Sequence, residues 1–143
     1  MGFEMEKRVD PTADTAVAHV MRDQRRKLKR VKDCAGWPMV YVVSRYAGDV
    51  KKNRADAIRY CRYVLGRKYM PVASHLLYPQ FLSDNDPADR MMGSAFGLRL
   101  LALADEVWVF GKKPYSEGME REIEEAQRLK KRVRYFEEER RKK

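Results

Sequence analysis

A serine, a glycine and a glutamate within seven residues carry the first suggestion of chemistry in this sequence. The polar stretch Gly111 to Gly118 leads through Ser116-Glu117-Gly118 into a helical pattern. Backbone N–H groups and the helix dipole there would favour a phosphate or carboxylate. The Ser116 hydroxyl would add a donor, and Gly118 would let a ligand approach the backbone. Serine at a helix start is also the ordinary N-cap, so spacing alone leaves both roles open. Glu122 lies one turn further on, near the helix face of Gly118 and Met119. Its carboxylate could attack an electrophilic carbon or stabilise a cationic transition state. By spacing alone it reads first as part of a solvated acidic face with Glu120, Glu124 and Glu125.

Two other polar loops follow apolar runs: Ser44-Arg45-Tyr46-Ala47-Gly48-Asp49 and Ser74-His75-Leu76-Leu77-Tyr78. His75 could bind a base edge or act as an acid, or serve as a hydrogen-bonded framework residue. Tyr78, Phe81 and Trp108 could stack on a planar ligand, although Trp108 reads as core. Asp105 reads as a cap at a strand start. Cys34 and Cys61 stand in no CxxC or Cys/His cluster, and His19 and His75 are far apart, so no metal site is expected. Cys61 falls in an apolar helical pattern and reads as a small buried hydrophobe.

The elements that must position these residues can be read from periodicity. A helix is predicted from Thr12 to about Val31, capped by Thr12 or Asp14. Gly36 and Pro38 mark a break. Met39 to Ser44 is a β-branched apolar run that fits a strand buried on both faces. A helix over Asn53–Leu65 ends at Gly66, and Tyr69–Ala73 forms a second strand. Leu76–Leu82 is ambiguous because Pro79 interrupts it. Pro87 opens a helix to about Ala104 behind the caps Asp84 and Asp86. Asp105–Phe110, Ser116–Leu129 and Val133–Phe136 complete a strand, a helix and a final strand. This alternation predicts an α/β fold: a small doubly wound parallel sheet, Rossmann-like, with an extra N-terminal basic helix. The division expected is residues 1–37 as that extension, 38–137 as the α/β domain and 138–143 as a charged tail. Ligands of such sheets bind beyond the carboxyl ends of the strands, where the three polar loops fall.

At 143 residues, with 44% hydrophobic and 36% charged residues, the chain has the size and composition of one globular domain. No apolar run approaches a membrane span, and the start lacks an apolar signal core, so a soluble, cytoplasmic protein is expected. Lys and Arg number 31 against 21 Asp and Glu, a formal charge of +10 that favours anionic partners. Seven basic residues and one acid, Asp23, lie between Arg22 and Lys32. Arg140, Arg141, Lys142 and Lys143 form a second cluster. Both look like appendages to the core.

The stretch from Ser116 to Ala126 resembles the signature of the nucleoside deoxyribosyltransferase superfamily. There a glycine opens a helix, and the catalytic glutamate follows four residues later, before a branched apolar residue. Ser116, two residues before Gly118, resembles the branch that hydrolyses nucleoside 5′-monophosphates. More closely, Val40–Asp49, Ser74–Leu82, Ala104–Gly111 and Ser116–Ile123 resemble an uncharacterised, often phage- or prophage-borne branch. Its members read roughly VYVxSPYxGD, PHLLYPQFL, DEVWVFG and SEGMxxEI. The resemblance spans about two-thirds of the chain and implies a deoxyribosyltransferase-like fold. It implies Glu122 as nucleophile, Ser116 and Gly118 as phosphate or sugar contacts, and Tyr46 as a ligand-loop contact. Ser44, Arg45, Gly48, His75, Glu117 and Met119 complete the candidate ligand-binding set. No metal or organic cofactor is implied, and a homodimer or larger homo-oligomer is expected.

Three positions depart from the pattern. The acid usually found about eight residues before the third strand's aspartate falls on Gly97 here, with Asp84, Asp86 or Asp89 as conceivable substitutes. Arg45 and Ser74 each stand where the branch has proline. Three functions follow as expectations: an N-glycosidase or deoxyribosyltransferase-like enzyme acting on a nucleotide or nucleoside, non-catalytic binding of such a ligand, and nucleic-acid binding through Arg22 to Lys32.

Overall fold

The computed structural model describes residues 11–30 and 32–137. The first ten residues, Val31 and the basic cluster Arg140 to Lys143 lie outside the described residues. The chain forms two compact units, Met1–Ala35 and Gly36–Lys143.

The first unit carries helix α1, Pro11–Arg30. It starts at Pro11, one residue before Thr12 and three before Asp14, because proline suits the first helical position. Thr12 and Asp14 therefore fall inside the first turn instead of capping it.

The second unit is built from β1 (Met39–Val43), α2 (Val50–Gly66), β2 (Met70–Val72), α3 (Pro87–Leu103), β3 (Glu106–Phe110), α4 (Glu117–Arg128) and β4 (Arg132–Phe136). The four strands form one sheet in the order β2-β1-β3-β4, all parallel. Val42 is in register with Trp108, and Trp108 with Arg134. This is the doubly wound α/β architecture that the strand–helix alternation predicts.

Alternation along β1 and β3 sorts the core into two layers. Val40, Val42, Trp108 and Phe110 face α2 through Tyr60 and Val64. Tyr41, Val43, Val107 and Val109 face α3 and α4 through Leu101, Met119, Ile123 and Ala126. Trp108 is fully buried and donates its indole N–H to Glu106 at 2.8 Å, so it belongs to the core. Cys61 packs half-buried against the α2 layer, and burial pushes its thiol up to about 11.

The helix ends differ from expectation in informative ways. Gly66 is the last residue of α2, and the turn beyond it is closed by Lys68 at φ 67°. The segment interrupted by Pro79 forms two single 3-10 turns, Ser74–Leu76 and Tyr78–Gln80. Asp86 caps α3 by accepting from the Ala88 N–H at 2.9 Å. Asp105 fixes the start of β3 by accepting from the Met39 N–H at 2.7 Å. Lys131 closes the other end of α3, donating to the carbonyls of Ala102 (2.7 Å) and Ala104 (2.6 Å). A cation at a helix C-terminus answers both the dipole and the orphaned carbonyls.

The two sheet edges are poor templates for a further strand. β2 is three residues long and contains Pro71, and β4 carries Arg132 and Arg134.

Replacing Lys131 with Met should remove two charge-assisted hydrogen bonds and leave both carbonyls short of a donor. Urea unfolding is expected to show a loss of about 1–3 kcal/mol at an unchanged slope with denaturant.

Candidate functional site

In the order β2-β1-β3-β4, successive connections leave β1 and β3 in opposite directions, so the crevice between their carboxyl ends is the switch point of the sheet. The loops after β1 and β3, and the start of α4, meet there.

Helix α4 places Glu122 by its own periodicity. Met119, Ile123 and Ala126 are buried on one face, and Glu122 sits on the edge of that stripe. Glu120 and Glu124 are exposed, and Glu125 pairs with Arg128 at 2.7 Å. Glu122 is therefore half-buried and separate from the solvated acidic face. Its Oε2 accepts a hydrogen bond of 2.6 Å from the Tyr41 hydroxyl. That hydroxyl also lies 2.8 Å from Ser74 Oγ, which joins β1, α4 and the turn after β2.

Electrostatics fix the proton positions. Burial pushes the Glu122 carboxyl up to about 7, although the Tyr41 hydroxyl and the nearby Arg121 pull it down. Burial and the neighbouring Glu122 hold Tyr41 well above the ordinary phenol range. Tyr41 thus stays protonated and donates to the carboxylate, while the Ser74 hydroxyl is free to donate to Tyr41.

Gly97 explains why no acid occupies its position. A Cβ there would lie 3.1 Å from the Tyr41 hydroxyl and 3.2 Å from Ser74 Oγ. The hydroxyl pair fills the space that a larger side chain would need. Two of the substitutes are engaged elsewhere, Asp86 in its cap and Asp89 accepting from the Ser83 N–H at 2.8 Å. Asp84 lies near Tyr46, where burial first and this carboxylate second raise the phenol's pKa.

The loop after β1 is held from several sides. Asn53, buried in α2, donates to the carbonyls of Tyr46 and Ala47, each at 3.0 Å. The Tyr46 ring stacks on His75 with centroids 4.9 Å apart. Burial lowers the His75 pKa, although the backbone of buried Ser44 and the charge of Asp84 pull it upward. An imidazole neutral at neutral pH suits a framework or a hydrogen-bonding role better than that of an acid. Gly48 has φ +102°, a conformation that side chains resist. Arg45 donates to the Pro114 carbonyl, linking the loop after β1 to the loop after β3.

At the start of α4, Ser116 is the N-cap, accepting from the Met119 N–H at 3.2 Å. Glu117 is exposed, and Gly118 leaves open space, its nearest neighbour being the Arg121 guanidinium at 4.0 Å. Met119 differs from the other candidates. Its side chain is 2% exposed in the core and its N–H is spent on Ser116, so it offers a ligand nothing.

The structure thus brings Glu122 together with Tyr41 and Ser74, and Tyr46 with His75 and Asp84. Tyr41 and Asn53 are the residues that spacing alone missed. A tyrosine inside an apolar strand needs a partner for its hydroxyl, and that requirement was the available signal. Among the described residues, no group of three His, Cys, Asp or Glu side chains is placed to hold a metal. No described helix is long and apolar enough to cross a membrane.

Comparison with known proteins adds three findings. Residues 38–136 match a family described as a domain of unknown function, DUF7768. No curated protein matches the chain. Among solved structures, it is similar to a 2-deoxyribosyltransferase from the psychrotolerant bacterium Bacillus psychrosaccharolyticus. The TM-score is 0.58 at 13% identity, over 69% of this chain and 72% of that one. At this identity the likeness establishes a deoxyribosyltransferase-like fold.

Because the Glu122 pKa is raised on folding, the native state binds more protons than the unfolded state between pH 4.5 and about 7. This carboxyl's contribution to stability is complete below that window and is lost as pH rises through it. Glu122→Gln should therefore match the wild type near pH 4 and exceed it by on the order of 1–3 kcal/mol at pH 8. Denaturation at both pH values measures the difference.

Proposed function

The chain belongs to the DUF7768 family, and we propose that it acts on the N-glycosidic bond of a nucleoside or nucleotide, with Glu122 as the reacting carboxylate. One observation carries this: a half-buried glutamate at the carboxyl edge of the sheet, gripped through one oxygen by Tyr41 at 2.6 Å. Oε2 is fixed and Oε1 is left to react. A pKa of about 7 keeps roughly half of the carboxyl ionised at neutral pH. The similar fold of a 2-deoxyribosyltransferase supports the same chemistry.

In this scheme the carboxylate attacks the anomeric carbon as the carbon–nitrogen bond breaks, its electron pair passing to the departing base. The cationic character that develops on the sugar is stabilised by the same charge. Water protonates the base, because Tyr41 holds its proton tightly and position 97 has no acid. Attack by water or a second base on the anomeric carbon then releases Glu122 and completes hydrolysis or transfer. Ser116, Gly118 and Arg45 line the side suited to a sugar or phosphate. Tyr46 and His75 form the aromatic wall.

Gly97 favours a second possibility. No other carboxylate acts on Glu122 among the described residues, so the crevice would hold a nucleotide-like ligand without turnover.

Chromatography of free base, using a panel of nucleosides and nucleoside 5′-monophosphates, separates the two. Catalysis requires base release that rises with pH through about 7 and falls at least about a thousandfold in Glu122→Gln. A second free base in the mixture distinguishes transfer from hydrolysis. No release from any compound, together with ligand-dependent rises in melting temperature, would replace catalysis by binding. No release and no thermal shift would reject both.

A further inference from the structure

Helix α1 has an apolar stripe and a basic arc, and neither is used by the chemistry above. Val17, Val20, Met21 and Leu28 are all exposed and recur at helical spacing along one stripe. Arg22, Arg25 and Arg26 are exposed within an arc of about 100° beside that stripe, with Arg25 at its border. Lys29 and Arg30 follow in the sequence.

The local acid does little to neutralise this arc. Asp23 meets Arg26 at 3.4 Å in full solvent, and the Arg22 guanidinium lies 3.1 Å from His19 Nδ1. Among the described residues, neither Arg25 nor Lys27 has an acidic partner. Arg22–Arg26, Arg25–Lys29 and Arg26–Arg30 are like charges four residues apart, an arrangement that opposes the helix carrying it. An external row of negative charge would relieve that repulsion.

We infer that the basic face of α1 is a docking surface for the phosphate backbone of a polynucleotide. Charge complementarity selects this occupant. A second copy of the chain would bring two strongly basic arcs together. A lipid surface would take the apolar stripe, which lacks aromatic residues and is broken by Gln24. Successive turns present cations about every 5.4 Å, and phosphates recur along a strand on the same scale of a few ångströms. Binding of this kind has little base preference and depends strongly on salt.

The test uses the full chain and fluorescein-labelled 20-nucleotide single strands and duplexes, followed by anisotropy between 50 and 300 mM KCl. The variant R22Q/R25Q/R26Q/K29Q removes four charges while keeping residues of similar helix propensity. Wild type is expected to bind all sequences alike. The variant should bind at least about tenfold more weakly, and its log–log salt slope should be smaller by about 3. Arg25→Gln alone should reduce the slope by slightly less than one, which covers any loss of helix in the fourfold variant. Circular dichroism should show helicity rising when polynucleotide is added. Absent binding, or affinity and slope unchanged in the fourfold variant, would overturn the inference. So would α1-dependent binding to phosphatidylglycerol vesicles, or α1-dependent dimerisation in sedimentation, without polynucleotide binding. Base release by the fourfold variant should equal that of the wild type, so this outcome is independent of Glu122.

Discussion

A single hydrogen bond, from the Tyr41 hydroxyl to the Glu122 carboxylate, organises the carboxyl end of the sheet. Leaving a carboxylate half-buried beside an apolar core is costly unless something donates to it. Tyr41 is well placed to do so, because its ring is locked into the α3–α4 layer and only its hydroxyl reaches the crevice. The bond ties the second strand in the sheet order to the last helix and fixes which carboxylate oxygen stays available. Burial and donation push the acidity of Glu122 in opposite directions, and burial wins. The result is a group near the midpoint of its titration at neutral pH.

The surroundings of that bond show how the fold reserves room for it. Ser74 supports Tyr41 from behind, and Gly97 withholds the Cβ that would crowd both hydroxyls. A glycine inside α3 carries a helix-propensity penalty of about 1 kcal/mol, offset here by the packing that it permits. On the other side of the crevice, Asn53 fixes the loop after β1 by donating to the carbonyls of Tyr46 and Ala47. That loop is thus held by hydrogen bonds and one ring stack, whereas the acid is held by the core itself.

Much of this fold was legible in the sequence because both of its periodicities are clean. The runs Met39–Val43 and Glu106–Phe110 are apolar on both faces, as strands of a parallel sheet must be. Met119, Ile123 and Ala126 announce the buried stripe of α4, and Ser116 its start. The ends were harder to read. Lys68 takes a left-handed conformation beside a glycine that would adopt it at less cost, and local propensity gives no warning of that. The site was legible only in part. Spacing left Glu122 between a reacting and a solvated role, and Tyr46 entered through the family resemblance, while the partner of Glu122 was hidden in an apolar strand, where a tyrosine reads as bulk. Met119, next to Gly118 along the chain, has its side chain turned into the core.

The unpaired backbones at the two margins of the sheet set the terms on which this molecule can associate. On one side, Pro71 lacks an N–H in a strand too short to offer a continuous ladder. On the other, Arg132 and Arg134 place guanidinium groups along the outermost strand. Extension of the sheet from one molecule into the next is disfavoured at both margins. Contact between copies of the α/β unit is thereby biased toward its helices and loops.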